Sequence, residues 1–146
     1  MFDSHGDDWS LRFWDRGGAP WGNWSSNQLE AERLPDGRVR ARYTKTRVDR
    51  KKPPYKVEVF ELAIPREQFT LLELSKDVFV GTYYEELDLK VGDATKVTIA
   101  VSSKRDAQEK TFYERLPRQL DRLGAAATAL MARCEHEGTL VQEAPQ

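Results

Sequence analysis

Residues 29–43 read "LEAERLPDGRVRARY", and this stretch predicts a β-hairpin. Apolar and charged residues alternate on both sides of "PDG", as expected of strands with one buried face. Pro35 presets φ, Asp36 tolerates turn conformations and Gly37 can adopt positive φ, which suits a three-residue hairpin loop. The turn therefore fixes the pairing register of the two strands.

In that register the apolar residues of the hairpin share one face. Ala31 lies opposite Ala41, and Leu29 lies opposite Tyr43. A further strand over residues 56–64, "KVEVFELAI", returns beside the hairpin and places Phe60 opposite Tyr43. A single register thus makes all three strands apolar on the same side, which favours a meander sheet.

The other face of this meander carries charges of both signs. The returning strand has three arginines, Arg38, Arg40 and Arg42. The register gives them the acidic neighbours Glu30, Glu32 and Glu61. Exposed ion pairs of this kind contribute only about 0–1 kcal/mol each, but they neutralise the field that a polyanion would feel. We interpret the three arginines as a solvated structural face rather than as a phosphate-binding stripe.

Three more strands follow from alternation. Residues 10–15 place Leu11 and Phe13 on one face and Arg12 and Trp14 on the other. Residues 96–102 and 108–114 form a second predicted hairpin. Residues 77–86 are rich in β-formers but contain a glycine, so a strand and an extended crossing segment are both open.

Two helices are predicted. Helical spacing over residues 66–74 after Pro65 indicates a short helix. A longer one begins around Pro117, and its apolar stripe consists of Leu116, Leu120, Leu123, Ala127 and Leu130. The final residues lose this periodicity, so residues 134–146 are expected to be a loose tail.

The fold class is therefore α+β. We expect one domain over residues 1–133, with about the first eight residues loose. It contains a mostly antiparallel meander of about five to seven strands, packed on the C-terminal helix, and one short helix. The chain resembles bacterial domains in which a strand meander leads to proline-started helices. That resemblance rests on "PDGRV", "FELAIPREQFTLL" and "FYERLPRQLDRL" within residues 29–130. These domains carry no assigned activity, so the resemblance implies fold only.

Composition narrows the class of protein. Of the 146 residues, 39% are hydrophobic and 32% charged, which is typical of a globular chain. No apolar run is long enough for a membrane helix, and the acidic start "MFDSHGDDWS" does not have the pattern of a signal peptide. The single cysteine, Cys134, cannot form an intramolecular disulfide. These features favour a cytoplasmic protein without a membrane segment.

A basic cluster marks the connection between the second and third strands of the meander. Residues 36–56 hold nine Lys or Arg against two Asp. The cations at the tip are Arg47, Arg50, Lys51, Lys52 and Lys56. Because fewer acidic neighbours are available there, this tip is the predicted contact surface for a nucleic acid or another partner.

The four tryptophans lie within the first 24 residues, at positions 9, 14, 21 and 24. Trp21 and Trp24 belong to a predicted loop over residues 16–27, "RGGAPWGNWSSN". This loop could close the core, form a protein interface or stack on a base or sugar. We expect Trp24 to pack against the sheet, and Trp21, like Trp14, to contact a partner.

No catalytic, metal or cofactor motif is present in the sequence. There is no phosphate-binding glycine motif, and the two histidines, His5 and His136, do not form a triad pattern. A cluster of adjacent polar aromatic and acidic residues, Tyr83, Tyr84, Glu85 and Glu86, is a possible polar site. The sequence therefore predicts a non-enzymatic intracellular protein-interaction module with a regulatory, accessory or inhibitory role. A nucleic-acid-binding accessory protein is the alternative, and a small enzyme is third.

Overall fold

The computed structural model describes residues 9–18, 24–48, 56–80, 96–103, 107–113, 116 and 118–145. Its strands are β1 (Trp9–Gly18), β2 (Trp24–Arg33), β3 (Val39–Val48), β4 (Lys56–Ile64), β5 (Lys96–Ser103), β6 (Ala107–Tyr113) and β7 (Thr139–Pro145). Its α-helices are α1 (Leu71–Val80) and α2 (Asp121–Glu137). Short 3-10 turns over Arg66–Gln68 and Arg118–Leu120 precede the two helices.

The seven strands form one sheet in the order β6-β5-β1-β2-β3-β4-β7. Every neighbouring pair in it is antiparallel. The meander β1 to β4 is central, the β5-β6 hairpin pairs with β1, and β7 pairs with β4. The predicted α+β class and antiparallel sheet are confirmed.

The hairpin register predicted from "PDG" is confirmed. Ala31 pairs with Ala41, and Tyr43 lies between Leu29 and Phe60. Gly37 adopts a φ of +91°, and its N–H donates to the Leu34 carbonyl at 2.9 Å. The positive φ explains why glycine occupies this position.

The buried side chains of the sheet and the two helices form one hydrophobic cluster. Phe13, Leu29 and Ile99 contribute to it from β1, β2 and β5, while Leu123 and Leu130 contribute from α2. α2 contacts β3 and β4. The cluster therefore occupies the face of the sheet that bears the helices, which we call the inner face.

Trp9 begins β1 on this inner face. Its ring stacks on Phe69 with centroids 5.3 Å apart, and the Arg66 guanidinium lies 6.0 Å from the Trp9 ring centroid. The Trp9 indole N–H is buried and has no hydrogen-bond partner among the described residues. Trp9 is thus a core residue that joins β1 to the segment before α1.

The prediction of a helix over residues 66–74 was wrong in its bounds. Residues after Pro65 form only a 3-10 turn, Phe69 is extended, and α1 begins at Leu71. Helix α1 also includes residues 77–80, for which a strand or an extended segment was predicted. Leu72, Ser75 and Val78 are buried at three-residue steps, so packing of one helical face outweighs the β-propensity of Val78 and Phe79.

The predicted loop and the predicted tail were also too long. β1 continues through Gly18 and β2 begins at Trp24, so much of residues 16–27 is strand. At the other end, α2 extends to Glu137 and β7 follows it where residues 134–146 were expected to be loose. The first extension belongs to the local β1-β2 hairpin, in which Gly18 pairs with Trp24. β7 instead pairs with β4, a strand distant in sequence, and local patterns do not reveal such a partner.

Candidate functional site

The face of the sheet opposite the helices, here called the open face, carries the charged residues of the meander. Side chains alternate along each strand, so Arg12, Glu30 and Arg42 point away from the buried neighbours Leu11, Ala31 and Ala41. Among the described residues, none of the hydrophobic cluster comes from this face. The open face is therefore the surface on which to look for a site.

A concavity of 410 Å³ lies on the open face over β1, β2, β3 and β5. Its floor is low because three of its residues are small: Ser10, Ala100 and Ser102. The hydroxyls of Ser10 and Ser102 are hydrogen-bonded to each other across β1 and β5, with 2.7 Å between the two Oγ atoms. The concavity thus has a small, neutral floor beside long charged side chains.

The charged residues that line the concavity belong to two rows of neighbouring residues across the strands. In the first row, Ser10, Glu32, Arg40 and Ala63 lie side by side on β1, β2, β3 and β4. In the second row, Arg12, Glu30, Arg42 and Glu61 lie side by side on the same four strands. Charges alternate in sign along each row, so no two like charges are direct neighbours within a row.

Ion pairs connect these residues within the chain. Arg40 pairs with Glu32. Arg12 Nη2 lies 3.9 Å from Glu30 Oε2, and Arg42 Nε lies 3.8 Å from Glu61 Oε2. The prediction that Glu32 and Glu61 neutralise the arginines is confirmed at Arg40 and Arg42. Arg38 instead bonds Asp36 in the turn at 2.9 Å, and its backbone N–H lowers the pKa of the Asp36 carboxyl.

Trp14 lies on the open face next to Arg12 along β1. Its indole Nε1 donates to Ser26 Oγ on β2 at 2.8 Å, and its ring is only partly exposed. The hydrogen bond satisfies the only polar atom of the side chain and restricts the orientations of the ring. Trp14 is therefore an oriented aromatic surface beside the charged rows.

Arg47 and Lys56, the described cations of the predicted basic tip, lie elsewhere. They are directly opposite each other at the end of the β3-β4 pair, on the inner face. Arg47 Nη1 donates to the Thr46 carbonyl at 3.0 Å, and Lys56 Nζ lies 3.8 Å from Glu58 Oε2. The structure thus does not bring these two described cations together with Trp14.

The other predicted site residues lie outside the described residues. These are Trp21, Arg50, Lys51, Lys52, Tyr83, Tyr84, Glu85 and Glu86. The backbone of Trp24 is described as the start of β2. The different roles assigned to Trp21 and Trp24 remain a prediction.

A second group of polar residues lies on the inner face at the border of the core. The Tyr43 hydroxyl donates to Asn27 Oδ1 at 2.6 Å, and Asn27 Nδ2 donates to Asp15 Oδ1 at 2.9 Å. Burial raises the pKa of Tyr43. These two hydrogen bonds satisfy a buried hydroxyl and link three central strands, so we assign them a structural role.

Helix α2 adds one ion pair to this border. Lys45 Nζ donates to Glu135 Oε2 at 2.7 Å, and this bond lowers the pKa of the Glu135 carboxyl. Lys45 also lies opposite Glu58 on β4, but no pattern in the sequence indicates its bond to Glu135. Contacts between a helix and a strand far apart in sequence leave no signal in local spacing.

The open face and its surroundings present a limited set of chemical groups among the described residues. The described part of the chain contains one histidine, His136, which lies on α2 rather than beside the serines of the concavity. Among the described residues, no three His, Cys, Asp or Glu side chains are placed to hold a metal ion. No described helix is long and apolar enough to cross a membrane. Guanidinium groups, carboxylates and an indole are the groups that the face offers to a ligand.

Comparison of this chain with models of protein families, with curated proteins and with solved structures finds no match.

Proposed function

We propose that this protein is a non-enzymatic protein-interaction module with a regulatory, accessory or inhibitory role, and that its open face holds the partner. The observation that carries the proposal is the position of Trp14 on the open face. Its N–H is satisfied within the chain by Ser26, and its partly exposed ring lies beside Arg12.

The combination of tryptophan, arginine and carboxylate side chains on the open face is typical of protein interfaces. Tryptophan and arginine are enriched among the residues that dominate binding free energy, and charged rims supply specificity. A tryptophan already held by a hydrogen bond loses little conformational freedom on binding. The charged rows beside it offer both signs of charge, which suits a polypeptide better than a uniformly charged polymer.

The proposal places the module in the cytoplasm. Its one cysteine, Cys134, is a free thiol in the core, and burial raises the pKa of that thiol to about 11. A protein without an intramolecular disulfide has no need of an oxidising compartment.

Substitution of Trp14 tests the proposal. The full chain and its Trp14→Ala variant are used to capture partners from extracts of the cells that express the protein. Arg122→Ala, an exposed change on α2, is the matched control. We expect the control to retain the partner of the wild-type chain, and Trp14→Ala to weaken that binding by about 2 kcal/mol or more, the loss typical of an interface hot spot. Undiminished binding by folded Trp14→Ala would contradict the proposal.

A second candidate function is binding of nucleic acid through the basic tip. The observation that favours it is the direct opposition of Arg47 and Lys56, because like charges opposite each other destabilise a sheet unless an anion lies between them. Affinity for single-stranded and duplex DNA is measured against salt concentration. Nucleic-acid binding predicts a linear fall in log affinity with log salt, and a shallower slope for Arg47→Ala. An absence of binding at low salt rejects it.

A further inference from the structure

We infer that the open face is self-complementary and that a second copy of this chain binds it face to face. The two-fold axis runs parallel to the strands, between β2 and β3. The inference rests on the proposed function, because it names the partner of the same face.

The charges of the second row are complementary to those of the same row in a second copy. From β1 to β4 its charges are positive at Arg12, negative at Glu30, positive at Arg42 and negative at Glu61. A two-fold rotation about the stated axis reverses this order, so the second copy presents the opposite sign at every position. Arg12 then meets Glu61 of the second copy, and Glu30 meets Arg42 of the second copy.

The first row gives the same axis independently. Its members are neutral at Ser10, negative at Glu32, positive at Arg40 and neutral at Ala63. Reversal between β2 and β3 places Glu32 against Arg40 of the second copy and Ser10 against Ala63. An axis moved onto β2 would instead oppose Glu30 to Glu30 and Arg12 to Arg42. Among axes parallel to the strands, the one between β2 and β3 opposes an unlike charge to every charged member of both rows.

The intrachain ion pairs leave capacity for a second partner. The pairs of Arg12 with Glu30 at 3.9 Å and of Arg42 with Glu61 at 3.8 Å exceed hydrogen-bond distance. A guanidinium has five N–H donors and can serve two carboxylates. The four side chains are 30–49% exposed, so they remain accessible to a second copy.

The shape of the face agrees with this arrangement. Two sheets that pack face to face keep their strands within about 30° of each other and stand about 10 Å apart, a space that long side chains fill. The axis places β4 of the second copy over β1, where the concavity lies. Glu61 of the second copy would then enter the concavity toward Arg12. Each interface patch meets its own copy, as in the closed dimers that are commonest among homo-oligomers.

Charge reversal followed by mixing tests the inference. The mass of the full chain in solution is measured by sedimentation equilibrium and native mass spectrometry, first for the wild type and then for Arg12→Glu and Glu61→Arg. We expect the wild type to dimerise, and each variant to raise the dimer dissociation constant by about tenfold or more, because like charges then meet. An equimolar mixture of the two variants should restore a dimer that contains one chain of each kind.

The controls separate this face from other surfaces. Arg122→Glu, an exposed reversal on α2, should leave the dimer intact. Circular dichroism establishes that each variant is folded, and the pair Arg42→Glu with Glu30→Arg repeats the test if one of the first two fails to fold. β7 is an edge strand whose Leu140 and Val141 are exposed. A dimer that survives charge reversal and is lost with Val141→Lys would overturn the inference in favour of that edge.

A wild-type chain that stays monomeric at low salt and high concentration also overturns the inference, as does a mixture of folded variants that fails to dimerise. These results leave the proposed function standing if Trp14→Ala still abolishes capture of a different protein. If no partner depends on Trp14 either, both proposals fail.

Discussion

The two faces of this sheet use neighbouring residues of the same strands in opposite ways. On the inner face, Leu29, Ala41 and Ile99 are fully buried and belong to a hydrophobic cluster that includes residues of both helices. On the open face, Arg12 and Arg42 are exposed and form long ion pairs. The inner face thus holds most of the apolar burial that stabilises the fold, whereas the exposed ion pairs of the open face contribute little to folding.

Because the two faces differ in this way, stability and binding depend on different residues of the same strands. Burial of apolar area contributes about 25 cal/mol per Å², whereas an exposed ion pair contributes about 0–1 kcal/mol. Changes on the open face should therefore alter binding with little effect on stability. Changes on the inner face should alter stability first.

The largest expected contrast is between Phe13 and Trp14, adjacent aromatic residues on β1. Phe13 is buried in the hydrophobic cluster, so Phe13→Ala should lower the free energy of unfolding by about 3–5 kcal/mol. Trp14→Ala removes one hydrogen bond to Ser26 and a partly exposed ring, so its cost should be clearly smaller. Urea denaturation of both variants checks this contrast, and equal losses would mean that the open face is also part of the core.

This contrast was predictable from the sequence because apolar and polar residues alternate along residues 10–15 and on both sides of the "PDG" turn. The residues "PDG" set the register, and the same register explains both the apolar pairs and the ion pairs of Arg40 and Arg42. The candidate site on the open face could be predicted only in part from the sequence. The concavity also needs β5 beside β1, a pairing between strands about 80 residues apart that no local pattern encodes.

The next prediction concerns Gly138, where α2 turns into β7. A Cβ at this position would lie 2.5 Å from the Cys134 carbonyl oxygen and 2.6 Å from the Glu61 carbonyl oxygen. Both are backbone atoms that cannot move aside, so Gly138→Ala should cost about 1–3 kcal/mol. Thermal unfolding measures the loss.

The matched control is Gly124→Ala within α2. There the new Cβ would meet only the end of the Leu116 side chain at 3.1 Å, which can adjust. Alanine also favours a helix over glycine by up to about 1 kcal/mol, so this variant should be neutral or more stable. If both glycine variants lose equal stability, the close contact of Gly138 with the Glu61 carbonyl does not explain why glycine occupies this position.

Gly138 also explains why β7 was not predicted. The pairing of β7 with β4 contains a register shift between Val59 and Phe60. The position of β7 depends on the tight reversal at Gly138 and on a partner strand far away in sequence. Helix α1 begins later than predicted because Pro65 precedes a 3-10 turn rather than the helix itself.

The smallest expected effect is at the border of the inner face, where Lys45 bonds Glu135. The pKa of Glu135 is lowered in the folded protein from its ordinary value of 4.5, so the pair stabilises the fold above that pH. The stabilisation is lost as the pH falls through the lowered pKa. Because solvent screens the pair, Lys45→Met should cost only about 0–1 kcal/mol at neutral pH.

Urea denaturation at neutral and acid pH tests this prediction. The difference between the wild type and Lys45→Met should shrink in acid. Lys56→Met is the control, because Lys56 Nζ lies 3.8 Å from its carboxylate and forms no short bond with it. A difference that stays constant with pH would show that Lys45 acts through packing of its side chain rather than through Glu135.

The separation of the two faces is tested most directly by placing the same residue at two adjacent positions of β3. Ala41 is fully buried on the inner face, and Arg42 is exposed on the open face. The free energy of unfolding and the self-association of Ala41→Glu and Arg42→Glu are measured side by side. Ala41→Glu should unfold the protein, because it buries an unpaired charge. Arg42→Glu should stay folded within about 1 kcal/mol of the wild type but lose the dimer. A folded Ala41→Glu, or an Arg42→Glu that unfolds, would contradict the separation of the two faces.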